Sequence, residues 1–174
     1  MGGKTKDRRY KKTEGAILAV FFDNPNCTMR QLAKRAGVAR STIYTHHHSV
    51  REIIPDCEKI ILTEYEIVVD EKLRAKKVEI RILYLDMLVL IIKNRQIFEI
   101  FLKFDDREVV MKMVLKLKPK IKESEKILRI CASEITEIIF EWGKRGFAKK
   151  EVEKVLSDMM YLTVSARNRL GPIV

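Results

Sequence analysis

Apolar positions recur along this chain at intervals of three and four, the period of a helix with one face turned inward. The cleanest stripe runs over residues 124–143: Ile127, Leu128, Cys131, Ile135, Ile138, Ile139 and Trp142. A second stripe over 151–169 carries Val152, Val155, Leu156, Met159 and Leu162. Residues 78–93 are apolar nearly all round, the mark of a helix central to a bundle. Shorter patterns predict helices over 96–104 and 107–118, the latter capped by Asp105-Asp106. Pro119 disturbs its end, and Gly171-Pro172 closes the last helix. Near the start, Ile17, Leu18, Phe21 and Phe22 give residues 9–23 an apolar face, which ends at Asn24-Pro25-Asn26. A long helix follows from Val50 to about residue 74, with Ile54, Cys57, Ile61, Tyr65 and Val68 inward. Pro55 removes one donor from it and should bend it or restart it. Residues 72–77 form a polar, basic break. No run reads as a strand, so the predicted fold class is all-α.

Between the first and the long helix lies the stretch around which the chain is organised, residues 28–48, TMRQLAKRAGVARSTIYTHHH. Thr28 can cap a helix. Leu32, Ala33 and Ala36 make its buried face. Gly37 then stops it, because glycine takes a positive φ without a Cβ penalty. Val38 plugs the turn. A second short helix, about 40–47, buries Ile43 and shows Arg40, Ser41, Thr42, Tyr44, Thr45 and His46 elsewhere. Two short helices crossed at a glycine turn describe a helix-turn-helix, whose second helix enters the DNA major groove. The outward side chains can all hydrogen-bond bases or phosphates, and none is a carboxylate. Ser49-Val50-Arg51-Glu52 then reads as a capping box for the long helix.

Charge strengthens this reading through its distribution. The chain of 174 residues has a formal charge of +11. Residues 1–54 hold 11 Lys/Arg against 4 Asp/Glu, and the remainder 24 against 20, so the excess surrounds the helix-turn-helix. Basic clusters attract phosphate backbones, and equally anionic membrane surfaces. Residues 1–12 form a basic arm with Lys4, Lys6, Arg8, Arg9, Lys11 and Lys12; residues 1–8 are expected to be a solvated tail, with a phosphate-contacting arm as the alternative. Cys27, Cys57 and Cys131 are too scattered for a disulfide framework or zinc site, which suits a reducing cytoplasm. No stretch of 18 apolar residues occurs, so no membrane span is expected.

Residues 28–54 resemble the N-terminal DNA-binding domain of the TetR family of transcriptional regulators. The residues that carry the likeness are Thr28, Leu32, Ala33, Ala36, Gly37, Val38, Thr42, Ile43, Tyr44, His46, Ser49 and Ile53. The chain departs at His47, where the family has an aromatic, and at Val50, where it usually has Lys. The resemblance implies a three-helix DNA-binding domain over residues 1–53 and a helical regulatory and dimerisation domain over 54–174. It implies a ligand-responsive repressor that binds a palindromic operator in double-stranded DNA as a homodimer. Thr42, Tyr44, Thr45 and His46 would enter the groove with Arg40 and Ser41 beside them. Thr28 and Arg30 would hold the backbone or an adjacent base, and His48 could reach the backbone.

Catalytic chemistry is not recognisable: there is no paired-carboxylate, Ser/His/Asp or Cys/His arrangement, and no enzyme activity or cofactor is expected. The three adjacent histidines, 46–48, point about 100° apart on a helix and cannot close on one metal ion. A small-molecule effector remains the open partner class. Tyr84, Met87, Phe98, Phe101, Phe104, Met111, Met113, Phe140 and Trp142 are the candidates to line its cavity, although plain core is the default for any one of them. The stripes of the last two helices offer a dimer interface through Ile127, Cys131, Ile135, Ile138, Trp142, Val152, Val155, Met159 and Leu162. Two other readings stay open: a helical ligand- or protein-binding module with weakened DNA binding, motivated by His47 and Val50, and a basic protein at a membrane surface.

Overall fold

The computed structural model describes residues 3–74, 79–117 and 125–170, with side chains over 8–74, 79–117 and 129–168. Every regular element among them is helical, and the fold is all-α. The chain divides into two compact units, Met1–Ile60 and Ile61–Val174.

The first unit contains α1 (Gly3–Asp23), α2 (Met29–Arg35), α3 (Arg40–His46) and the start of α4 (Val50–Leu73). Its core is Ile17 and Phe21 from α1, Leu32 from α2, Ile43 from α3 and Ile53 from α4, all fully buried. Burial of each such side chain stabilises the unit by about 1.5–3 kcal/mol. The basic arm differs from expectation, because α1 begins at Gly3 and the expected tail is helix. Lys and Arg propagate a helix well without any apolar pattern to announce it. The side chains of Lys4 and Lys6 lie outside the described residues. At the start of α4, Glu52 reaches back as in a capping box, but its carboxylate accepts from the His48 N–H at 2.7 Å. The helix runs through Pro55 without interruption.

The second unit holds the rest of α4, then α5 (Ile80–Lys93), α6 (Arg95–Lys103), α7 (Glu108–Leu115), α8 (Glu125–Lys144) and α9 (Val152–Leu170), the last preceded by a 3-10 turn, Lys149–Glu151. Of the expected break over 72–77, Lys72 and Leu73 still belong to α4 and 75–77 lie outside the described residues, as do Val78, Pro119, Ser124, Gly171-Pro172 and the side chains of Ile127 and Leu128. Helix α8 packs on both α7 and α9, and α5 packs on α9. Phe98 and Phe101 of α6 meet edge to face, and Phe147 meets Phe98 and Trp142 in the same way at 6.2 and 5.2 Å. The Trp142 indole donates to the Ala148 carbonyl at 3.1 Å, which fixes the turn between α8 and α9. Ion pairs Lys93–Glu64 and Lys116–Glu66 tie α5 and the end of α7 to α4.

Several expectations are corrected in this unit. Val69, not Val68, continues the buried stripe of α4 beyond Tyr65. Helix α5 is not buried all round, since Ile82 and Val89 are exposed. Asp105-Asp106 does not cap α7, whose cap is Arg107. Asp105 instead closes α6 with φ +52: Asp106 N–H donates to the Phe101 carbonyl at 2.8 Å and Asp105 N–H to that of Leu102 at 3.1 Å. This is a Schellman ending, with Asp in the left-handed position usually held by glycine.

Candidate nucleic-acid interface

Local chemistry builds the helix-turn-helix. Thr28 caps α2: its hydroxyl accepts from Gln31 N–H, and the Gln31 side chain accepts from Thr28 N–H at 2.9 Å. Removal of such a cap costs about 1 kcal/mol. Helix α2 ends on a Schellman turn, with Val38 N–H donating to Ala33 at 3.0 Å and Gly37 N–H to Lys34 at 3.3 Å. Gly37 takes φ +66, which a side chain would make strained. Ala39 turns the chain in extended conformation and α3 begins at Arg40. Ile43 anchors α3 in the core, which decides which of its sides stays outward.

Of the expected DNA-contacting residues, Arg30, Arg40, Ser41, Thr45 and His48 are exposed. The Arg40 guanidinium lies 5.8 Å from the ring centre of half-buried Tyr44, a cation–π contact that holds both side chains. Thr42 is half-buried. The Thr45 hydroxyl donates to the Ser41 carbonyl at 3.0 Å. Thr28 is exposed, with its hydroxyl engaged in the cap.

His46 is placed differently from the groove-facing position expected of it. Its ring stacks on Tyr10 of α1 with centroids 4.0 Å apart, and its buried Nδ1 has no hydrogen-bond partner among the described residues. Burial pushes its pKa below the usual histidine value, opposed by Glu14 and reinforced by His47. A neutral stacked ring serves packing better than phosphate contact. Tyr10 escaped the sequence reading because it sits in the basic arm. Yet Tyr10, Ile17 and Phe21 share one helical face by spacing, a usable signal. His47 is a buried imidazole, 4% exposed.

In the second unit the expected ligand-lining residues Tyr84, Met87, Phe98, Phe101, Met113, Phe140 and Trp142 are buried, while Phe104 and Met111 are half-buried. The Tyr84 hydroxyl shares a hydrogen bond with Thr163 of α9 at 3.0 Å. Burial pushes the Tyr84 phenol up to about 12. Two polar groups outside the expected lining stand out. The Tyr65 hydroxyl and Asp86 Oδ2 are buried without hydrogen-bond partners among the described residues. Burial raises both pKa values, and Lys72, 4.0 Å from Asp86, opposes the rise there. A carboxylate inside the apolar run 80–92 was the available signal.

The residues expected at a dimer interface need correction. Cys131, Ile135, Trp142, Val155 and Met159 are buried within one chain, so their surface is already used between α8, α9 and their neighbours. Ile138, Val152 and Leu162 keep partial exposure. Ile127 lies outside the described side chains.

Among the described residues no helix is long and apolar enough to cross a membrane. No curated protein matches the sequence. A family model described as winged helix-turn-helix DNA-binding matches residues 11–47, which span most of α1, all of α2 and α3, and the turn. The N-terminal unit therefore carries a helix-turn-helix DNA-binding domain, and its presence points to a DNA-binding regulator rather than an enzyme.

Proposed function

We propose that the chain is a transcriptional regulator of the TetR type, a ligand-responsive repressor that binds a palindromic operator as a homodimer. The observation that carries this is α3 itself. Ile43 pins it to the core while Arg40, Ser41 and Thr45 face outward. The reader then passes within four residues into the 24-residue helix α4, the arrangement that the TetR resemblance implies. For the dimer, support comes from exposed Ile130 of α8 and Tyr161 and Val164 of α9. Cys131 contacts the Leu162 carbonyl at 4.0 Å, so these stretches run side by side. For the effector, support comes from the Tyr65 hydroxyl and Asp86 Oδ2, buried without a hydrogen bond among the described residues, Asp86 having the Lys72 ion pair at 4.0 Å; buried polar groups left short of hydrogen bonds are costly unless something completes them. The three buried free thiols suit the reducing cytoplasm expected of such a regulator.

Selection of bound duplexes from random DNA tests the reading. The expected product is an inverted repeat with half-sites about one helical turn apart, or a multiple of it. Its affinity should fall with salt with a slope of about 0.9 per phosphate contacted. Failure to enrich any sequence over many rounds would refute sequence-specific recognition.

A further inference from the structure

We propose that Glu14, His47 and Asp56 form a binding site for a divalent transition-metal ion inside the DNA-binding unit. The three residues come from α1, the residue after α3, and α4. One ligand atom from each lies within 4.8 Å of the other two. The adjacent histidines diverge and cannot share an ion, but the fold brings two distant carboxylates to one of them. His47 is nine-tenths buried or more, with Nδ1 4.0 Å from Asp56 Oδ2. Its Nε2 is buried with no hydrogen-bond partner among the described residues. The cluster therefore sets a buried imidazole between two carboxylates, with Nδ1 the nitrogen that faces Asp56 and can be offered to an ion.

Glu14 and Asp56 are only half-buried, so an ion can enter from solvent and water can complete its shell. One imidazole and two carboxylates suit borderline divalent ions such as Zn²⁺, Mn²⁺ or Fe²⁺. Around one ion at about 2.1 Å the ligand atoms stand about 3.4 Å apart. Ligand atoms as far apart as 4.8 Å must therefore close by about 1.4 Å, within the rotamer freedom of the two partly exposed carboxylates. Once bound, the ion would join three helices that frame the reader, in the manner of a clasp. It would stabilise the folded unit by mass action.

The test uses the full chain, free of any added histidine tag, titrated with Zn²⁺ alone and separately with Co²⁺. The expected result is one ion per chain and a higher melting temperature on loading. Glu14→Gln and Asp56→Asn should each weaken binding about tenfold or more. The double variant His46→Gln/His48→Gln should keep metal affinity. His47→Gln should lose the ion, but it alters a buried side chain. The two carboxylate variants, checked for unchanged helix content by circular dichroism, therefore decide the matter. No uptake at about 100 μM free ion, equal affinity in both carboxylate variants, loss of binding in the His46/His48 variant, or a thiolate band in the Co²⁺ spectrum would each overturn the site.

Discussion

At the scale of single residues, Arg40 separates two kinds of work that α3 does. Its guanidinium is exposed and rests near the Tyr44 ring, while Ile43 is spent on the core. Arg30→Ala and Arg40→Ala should each weaken operator binding by about 1–3 kcal/mol with little change in melting temperature. Gel-shift titration beside a thermal melt checks this, and wild-type affinity in both variants would remove them from the interface. His46 predicts a pH effect of definite sign. Its folded pKa lies below the ordinary 6.5, chiefly through burial. The unfolded chain therefore takes up this proton first as pH falls, so stability is present above that value and lost below it. The urea midpoint should fall between about pH 7.5 and 5.5. Glu14 and His47 also face this ring. In His46→Phe, which keeps a ring against Tyr10, the fall should be smaller; an equal fall would assign it to other groups.

At the scale of elements, periodicity located every helix core and most ends, and missed the start of α1 and the cap of α7. The start of α1 carries no apolar pattern, so nothing in its composition distinguished solvated helix from solvated tail. Asp105 misled because the same residue type serves two opposite ends: aspartate caps a helix start and also tolerates the left-handed position at a helix close. The site itself was legible where its logic is local, in the Thr28 cap, the Gly37 turn and the Ile43 anchor. It was illegible where it depends on long-range placement. Nothing near His46 or His47 in sequence announces Tyr10, Glu14 or Asp56. Two helical glycines show how packing overrides propensity. In α1, a Cβ at Gly15 would meet nothing within 4 Å, so Gly15→Ala should stabilise by about 0.5–1 kcal/mol. In α8, a Cβ at Gly143 would collide with Leu102 and come within 2.7 Å of Phe147 Cζ. Gly143→Ala should therefore destabilise by about 1–3 kcal/mol. Opposite shifts in melting temperature are expected, and a gain at Gly143 would contradict the close packing.

At the scale of the whole molecule, an apolar stripe states that a helix face is buried without stating which chain buries it. Much of the described α8 and α9 stripes is buried within one chain, which leaves Tyr161, 71% exposed, and Val164 as the surface a second copy would cover. Tyr161→Glu with Val164→Glu should convert a dimer to a monomer in sedimentation at micromolar concentration, while the helix content stays the same. A monomeric wild type would remove the dimer from the proposal, and a dimeric variant would move its interface elsewhere. The three cysteines give the molecule a built-in clock. Cys27 and Cys57 sit in the first unit and Cys131 in the second, all buried and free. Burial raises each thiol, Cys57 to about 12, and only the thiolate reacts with an alkylating reagent. Labelling must therefore wait for the protein to open. The order in which the three sites are modified should time the opening of each unit separately, without a reporter having to be engineered into either.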